Sequence, residues 1–163
     1  MFTVGVCSFN EEKNIENCLR SILIQKFTNL EMTEVIVISS GSTDNTNQIV
    51  EKLQQEFSKI RLIKQEIRVG KNSAINCLLC NKTTELVALV NADNILNDNN
   101  TLQKLVEPLL NNKVGVTGGH PIAMNSSNTL ADFSSQMIWI YHHHIALEKT
   151  KIGELIAFRD VGI

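Results

Sequence analysis

The residues with chemical potential in this chain gather where apolar runs stop. The stretch ELVALVNADN ends in Asn91, Ala92, Asp93 and Asn94. FTVGVCS leads into Cys7-Ser8-Phe9-Asn10-Glu11, EVIVIS into Ser39-Ser40-Gly41-Ser42, and KVGVTGG into Gly118-Gly119-His120. None of these junctions is a G-x-G-x-x-G or a P-loop, so the usual glycine cradles for dinucleotides and triphosphates are absent. A carboxylate holding a divalent cation is another way to grip phosphate. Asp93 is the candidate, because Mg²⁺ or Mn²⁺ prefers oxygen ligands and can bridge a carboxylate to substrate phosphates. The plainer role for Asp93 is a helix cap, since a helix is expected a few residues on.

The elements that must position these groups follow from periodicity. FTVGVCS, Phe2 to Ser8, reads as a first strand. Asn10 is placed to cap a helix with Glu11 and Glu12 in its first turn, where the helix dipole favours acids. Ile15, Cys18, Leu19, Ile22 and Leu23 then recur at helical spacing. EVIVIS, Glu34 to Ser39, is a continuous β-branched run, the pattern of a strand buried on both faces. SGSTDNT is a turn in which Ser42 or Asp44 can cap the next helix, whose apolar side is Ile49, Val50, Leu53 and Phe57. A strand from Ile60, a helix from Gly70 to about Cys80, the strand ELVALVNA, a helix through Leu102–Leu110 and a fifth strand KVGVTGG complete the pattern. Beyond Pro121, a long helix is expected with Leu130, Phe133, Met137 and Tyr141 on one face; its MIWIY segment, apolar nearly all round, is expected in a core, the alternatives being packing on a part beyond this chain or on a membrane surface. A last strand is expected at Glu154 to Phe158, soon before the chain stops, which reads as a fragment. Strands alternating with helices imply parallel pairing in an α/β sandwich with right-handed crossovers. In such sheets ligands bind beyond the carboxyl ends of the strands, which gives the polar junctions their weight.

Composition limits the class of protein. With 163 residues, 43% hydrophobic and 20% charged, the chain is expected to form one soluble α/β domain with a real core. A net charge of -2 gives no reason to expect nucleic acid as a partner. No apolar run of about 18 residues or more suggests a membrane span, and no signal peptide is evident. Four cysteines are too sparse for a disulfide scaffold, so a reducing, cytoplasmic setting is expected. Cys77 and Cys80 form a C-x-x-C pair in an apolar helix and read as small buried hydrophobes rather than a redox or zinc site. His142, His143 and His144 cannot converge on one ion, because successive helical residues point about 100° apart.

Four blocks taken together, VGVCSFNEEKNIENCLRSILIQ, EVIVISSGSTDNT, RVGKNSAIN and LVNAD, resemble the N-terminal half of the family 2 glycosyltransferases, from about Thr3 to Gly119. RVGKNSAIN and GELIAFR look most like the branch of hyaluronan- and cellulose-synthase-like enzymes. The resemblance implies a GT-A fold, a Rossmann-like α/β/α sandwich with a mainly parallel sheet, here truncated at the C-terminus. It implies a single domain over 1–163, with a donor core over 1–120 and an incomplete acceptor side over 121–163. The implied activity is inverting transfer of a sugar from a nucleoside diphosphate donor, a UDP-sugar first of all, to a glycan or lipid acceptor, with Mn²⁺ or Mg²⁺.

Carried over position by position, the resemblance places Cys7, Ser8, Phe9 and Glu11 at the base and ribose. Phe9 keeps an aromatic face there but lacks the family's Tyr hydroxyl. Ser39 and Ser40 stand where the family has a carboxylate that reads the nucleotide; a hydroxyl both donates and accepts, so it discriminates less. Lys71 matches a lysine beside the diphosphate, where a compact charge suits phosphate oxygens. Asn91-Ala92-Asp93 matches the family's Asp-x-Asp, whose last acid ligates the metal. Arg68 and His120 lie next to these positions and stay outside the set. The acceptor-activating acid and the later Gln/Arg-rich motif have no match; Asp160 has the wrong context. Any work at the inner membrane face would depend on parts beyond this chain. A catalytically degenerate nucleotide-sugar-binding module is therefore the alternative. A sugar-phosphate nucleotidyltransferase is disfavoured, since its glycine-rich basic loop after the first strand is missing.

Overall fold

The computed structural model describes residues 1–124 and 129–153. They belong to two compact units, Met1–Thr117 and Gly118–Ile163. The first unit runs β1 (Phe2–Ser8), α1 (Ile15–Leu23), β2 (Met32–Ser40), α2 (Thr46–Glu56), β3 (Ile60–Gln65), α3 (Lys71–Asn81), β4 (Leu86–Asn91) and α4 (Thr101–Val106). The strands form one sheet in the order β3-β2-β1-β4, and every pairing is parallel. The chain builds outward from β1 to β3 and then crosses back to add β4 on the other side of β1. The strand order therefore reverses between β1 and β4, the place where open α/β sheets form a ligand crevice. Cys7 and Asn91 are register partners at that point.

Alternation along β1 assigns its faces. Phe2, Val4 and Val6 join Ile15, Cys18, Leu19 and Ile22 of α1, Val50 and Leu53 of α2, and Leu102 and Val106 of α4 in the larger core. Fully burying each large aliphatic or aromatic side chain there contributes about 1.5–3 kcal/mol. On the opposite face Ile36 and Ile38 pack with Ala74 and Leu78 of α3, flanked by Cys7, Cys77, Ile63 and Val87. Gly5 lets α3 sit close to the sheet, since a Cβ there would fall 2.1 Å from Leu78 Cδ2.

At the amino ends of the strands Glu34 ties several segments together. Its carboxylate accepts from Thr3 Oγ1 (3.2 Å), Thr83 N (3.0 Å), Thr83 Oγ1 (2.7 Å) and Arg61 Nη2 (3.0 Å). Burial pushes its pKa up, but the Thr83 and Arg61 hydrogen bonds outweigh it and hold the group below its ordinary 4.5. Because the folded pKa is depressed, the stabilisation is present above the unfolded pKa and is lost as pH falls through the folded one. Glu34→Gln is expected to lower stability at pH 7 by about 1–2 kcal/mol. Denaturant melts repeated at falling pH should show the variant and parent converging below about pH 4.5.

Several sequence expectations change. The KVGVTGG segment is not a strand: residues 114–120 carry no strand assignment, and Val116 is 64% exposed. Alternating apolar residues supply β-propensity, but a strand also needs a partner edge, and this segment pairs with none among the described residues. The helix through Leu110 ends at Val106 and continues as a 3-10 turn, Glu107–Leu110, because Pro108 has no N–H to donate. Asn10 does not cap α1. It adopts φ 54, and α1 begins after a turn that ends at Asn14. The C-x-x-C pair is split: Cys77 packs against the α3 cluster, whereas Cys80 is exposed, because the buried line of α3 runs through Ala74 and Leu78.

In the second unit α5 (Leu130–Lys151) is capped by Thr129, whose side chain accepts from Asp132 N at 3.1 Å. Leu130, Phe133, Met137, Ile138, Ile140 and Tyr141 remain exposed, so the expected burial of MIWIY is not met among the described residues. The MIWIY stretch is apolar at every position, so it marks no single side to turn inward. His143 stacks on His120 with ring centroids 3.6 Å apart. The expected strand at Glu154–Phe158, together with Arg159 and Asp160, lies outside the described residues.

Candidate donor-binding site

All nine candidate residues fall in the first unit, at or just beyond the carboxyl ends of β1, β2 and β4 or at the start of α3. Strand-end position marks most of them in the sequence, and the family resemblance supplies Lys71. Their side chains divide into two groups.

The first group faces solvent at the reversal of strand order. After β4 the chain makes a tight turn closed by Asn94 N donating to Asn91 O at 3.0 Å. Ala92 is buried in that turn and Asp93 is exposed. Asp93 is not a helix cap: α4 starts at Thr101, and Asp98 accepts from Asn100 N at 2.7 Å in front of it. Lys71, on the first turn of α3, donates from Nζ to Asn91 Oδ1 at 3.0 Å. Burial pushes the Cys7 thiol above its ordinary value, against the pull of the nearby Lys71 ammonium and with a further push from Cys77. Behind the turn, Cys18 Sγ lies 3.4 Å from Asn91 O. Its pKa is pushed up to about 12 by burial first, then by the Asp93 and Glu11 carboxylates.

The second group is tied into the protein. Ser8 is buried, and its Oγ donates to Ile38 O at 3.4 Å. Ser39 and Ser40 are also buried. Ser39 Oγ donates to Ser42 Oγ at 2.9 Å, and Ser40 Oγ accepts from Val69 N at 3.4 Å. SGSTDNT, expected to be only a turn and cap, clasps the loop after β1. Asn10 N donates to Ser42 Oγ, Thr43 N to Asn10 Oδ1, Glu11 N to Thr46 Oγ1 and Glu12 N to Asp44 Oδ2, at 3.2, 2.8, 2.8 and 3.0 Å. Asn45 N returns a bond to Glu12 Oε2 at 3.0 Å. Asp44 also accepts from Thr46 N, ahead of α2. Burial works to raise the Asp44 pKa, and its bonds to Thr46 and Glu12 overcome this and lower it. The Glu11 carboxylate accepts from Asn14 Nδ2 at 2.8 Å.

Sequence reasoning passed over one contact. Arg68 places its guanidinium carbon 4.0 Å from the centroid of the Phe9 ring. Nothing in the local pattern brings residues 9 and 68 together; only the parallel pairing of β1, β2 and β3 does. A metal would find one exposed carboxylate here, and no cluster of three or more His, Cys, Asp or Glu capable of holding an ion exists among the described residues. That donor set fits Mg²⁺ or Mn²⁺ shared with a phosphate ligand, since these ions are commonly held by one or two carboxylates plus substrate oxygens. It does not fit a closed, all-protein metal site.

A parallel sheet flanked by helices, with polar groups gathered at the strand-order reversal, defines an α/β fold of the GT-A type. The chain belongs to Glycosyl transferase family 2, whose model matches residues 3–161. It is 30% identical over 129 residues to the poly-β-1,6-N-acetyl-D-glucosamine synthase of Staphylococcus aureus, covering 78% of this chain and 30% of that protein. Among solved structures it resembles the mannosyltransferase PcManGT of Pyrobaculum calidifontis in complex with GDP-Man and Mn²⁺, at 32% identity and a TM-score of 0.65. That match covers 70% of this chain and 33% of the other. It also resembles S. aureus TarS 1–349 in complex with UDP-GlcNAc, at 27% identity and a TM-score of 0.58, covering 77% and 41%. The chain thus spans about a third of the length of the relatives it matches.

Proposed function

We propose that this chain is the donor-binding portion of an inverting glycosyltransferase that takes its sugar from a nucleoside diphosphate, a UDP-sugar first of all. The observation that carries the reading is the bond from Lys71 Nζ to Asn91 Oδ1 at the reversal between β1 and β4, with Asp93 exposed in the turn two residues on. Asp93 would hold Mn²⁺ or Mg²⁺, which when bound neutralises charge on the diphosphate leaving group. Lys71 would present its ammonium to a phosphate oxygen, with Asn91 orienting it. Phe9 would offer a ring face to the base, with Cys7, Ser8 and Glu11 around it and Ser39 and Ser40 behind. Support from similarity comes from neighbours bound to GDP-Man with Mn²⁺ and to UDP-GlcNAc. These donors carry different bases, so similarity alone does not choose one.

The acceptor, a glycan or lipid, and the base that activates it belong to the region after residue 120 or to parts beyond this chain. Membership of the hyaluronan- and cellulose-synthase-like branch rests on RVGKNSAIN and GELIAFR alone. No helix of the described residues is long and apolar enough to cross a membrane. A cytoplasmic setting, at the inner membrane face for a longer protein, completes the proposal.

The second reading, a nucleotide-sugar-binding module without turnover, is favoured by the burial of Ser39 and Ser40 where the family resemblance leads one to expect a reading carboxylate. Calorimetry with UDP, GDP and their sugars, with and without Mn²⁺, tests both. Nucleotide binding that strengthens with Mn²⁺ is the expected result, and absence of binding under every condition would refute both. Donor hydrolysis or transfer by a longer chain reaching past Ile163 would rule out the second.

A further inference from the structure

The segment between β4 and α4 carries Asp93, and Asp93, Asn94, Ile95 and residues 97–100 in it are exposed. What holds it in place is α1 and the residues just after that helix. Cys18 Sγ donates to Asn91 O at 3.4 Å, ahead of Asp93. Ser21 Oγ accepts from Leu96 N at 3.1 Å, behind it. Gln25 Nε2 donates to Asp98 O at 2.7 Å, and its Oε1 accepts from Leu102 N at 3.0 Å. Lys26 N donates to Asn99 O at 2.7 Å. Ser21 and Gln25 are themselves fixed: Ser21 Oγ donates to Cys18 O at 2.7 Å, and Gln25 Nε2 also reaches Ser21 O at 3.2 Å. Both are buried beside the apolar residues Ile15, Cys18, Leu19 and Ile22. A polar side chain in such a place is costly unless its bonds are made, and here those bonds go to the segment that bears Asp93.

We propose that Ser21 and Gln25 are positioning residues for the Asp93 carboxylate, fixing the segment so that Asp93 stands ready for a divalent ion shared with the donor diphosphate. This rests on the donor-binding reading above and deepens it. Asp93 lies between the anchor at Asn91 and the anchor at Leu96, so its backbone is held on both sides. A ligand already held in place needs little ordering when an ion arrives, which preserves affinity. Without the Ser21 hydroxyl, Leu96 N loses its partner and the span after Asp93 gains freedom. Without the Gln25 amide, Asp98 O and Leu102 N lose theirs. Residues that orient a metal ligand from behind typically change metal affinity by about 10–100-fold. The bonds of Ser21 and Gln25 reach the Asp93 segment rather than Phe9 or the serine pair, so their loss is expected in metal-dependent binding alone.

The test is calorimetric binding of UDP and GDP, in Mn²⁺ and in chelator, to the whole chain and to Ser21→Ala, Ser21→Thr and Gln25→Met, at a temperature where melts show each to be folded. The readout is the ratio of affinity in Mn²⁺ to affinity in chelator. Ser21→Ala and Gln25→Met are expected to lower that ratio by about tenfold and to leave affinity in chelator unchanged. Ser21→Thr keeps the hydroxyl and should retain the parent ratio. In an Asp93→Ala background, Ser21→Ala should change nothing further, as two groups acting through one carboxylate require. Amide hydrogen exchange on the unliganded parent, which needs no variant to fold, is expected to show Leu96 and Leu102 protected. A parent-like ratio in both Ser21→Ala and Gln25→Met overturns the proposal and leaves the donor-binding reading intact. An equal fall in Mn²⁺ and in chelator does the same, marking the two residues as structural only, and so does a Leu96 amide that exchanges freely in the parent. Nucleotide binding by the parent with no Mn²⁺ enhancement removes the metal role of Asp93 and this proposal with it. Failure of both nucleotides to bind the parent overturns the donor-binding reading as well.

Discussion

Replacing Asp93 with alanine is expected to remove the metal-dependent part of nucleotide binding and leave the fold unchanged. The side chain is exposed in a turn and accepts no hydrogen bond from the described residues, so its loss should fall within about 0.5 kcal/mol of the parent stability. On the proposed reading it is the carboxylate that would join a divalent ion to this chain. Losing it forfeits several kcal/mol of charge stabilisation, on the order of 100-fold or more in affinity measured in Mn²⁺. Binding measured in chelator should hardly change, because Lys71 and the ring of Phe9 are untouched. Asp93→Asn separates charge from geometry: the amide oxygen remains but the anion does not, and an affinity close to that of the alanine variant is expected. Parent-like Mn²⁺ enhancement in either variant would remove Asp93 from the metal role. A large fall in melting temperature would instead mark it as structural.

Gly41→Ala is the second large effect expected, and it acts through backbone rather than charge. The residue adopts φ +71, a conformation that costs an L residue about 1–2 kcal/mol. The added Cβ would also meet Arg68 N at 2.4 Å and Ile67 C at 2.7 Å, which are main-chain atoms that cannot rotate away. The loop over residues 66–70 must shift, and its link from Val69 N to Ser40 Oγ must break. A loss of about 3 kcal/mol is expected from strain and overpacking together. Gly70→Ala is the control, since Gly70 has φ +97 but open space around its Cβ position. That variant should show the conformational strain alone. A larger loss in Gly41→Ala than in Gly70→Ala would show that the contact adds to the strain, since Gly70, at φ 97 and ψ 168, lies in a region almost reserved for glycine. A Gly41→Ala loss no larger than the ~1–2 kcal/mol of the positive φ alone would show that the approach of the loop to Gly41 contributes nothing.

Much of the first unit was legible because its signals are local and periodic. Continuous β-branched runs marked β1 and β2, and apolar spacing marked the buried residues of α1 and α2. The polar groups of Asn91, Asp93 and the serine pair stood out against those runs, so the strand-end positions could be named without coordinates; Lys71 came from the family resemblance. Local pattern was also where the reading failed. KVGVTGG has the alternation of a strand, but a ladder depends on a partner edge that its own residues cannot supply. Asn10 looked like a helix cap, as Asn does by type, yet its backbone follows its bonds to Ser42 and Thr43 far along the chain. MIWIY is apolar enough for a core and remains exposed among the described residues.

The division between the two sources of information has one physical origin. Periodicity and composition act over a few residues, so they prescribe the order of strands and helices and the chemical types at strand ends. Which strand ends become neighbours depends on parallel pairing across long stretches of chain. That pairing set Cys7 beside Asn91 and Lys71 within reach of Asn91 Oδ1. It also turned Ser39 and Ser40 inward, where they bond Ser42 and Val69, and brought Arg68 over Phe9. A side chain's type is written in its own residue, but whether it is buried, bonded or free to meet a ligand is a property of its neighbours in space.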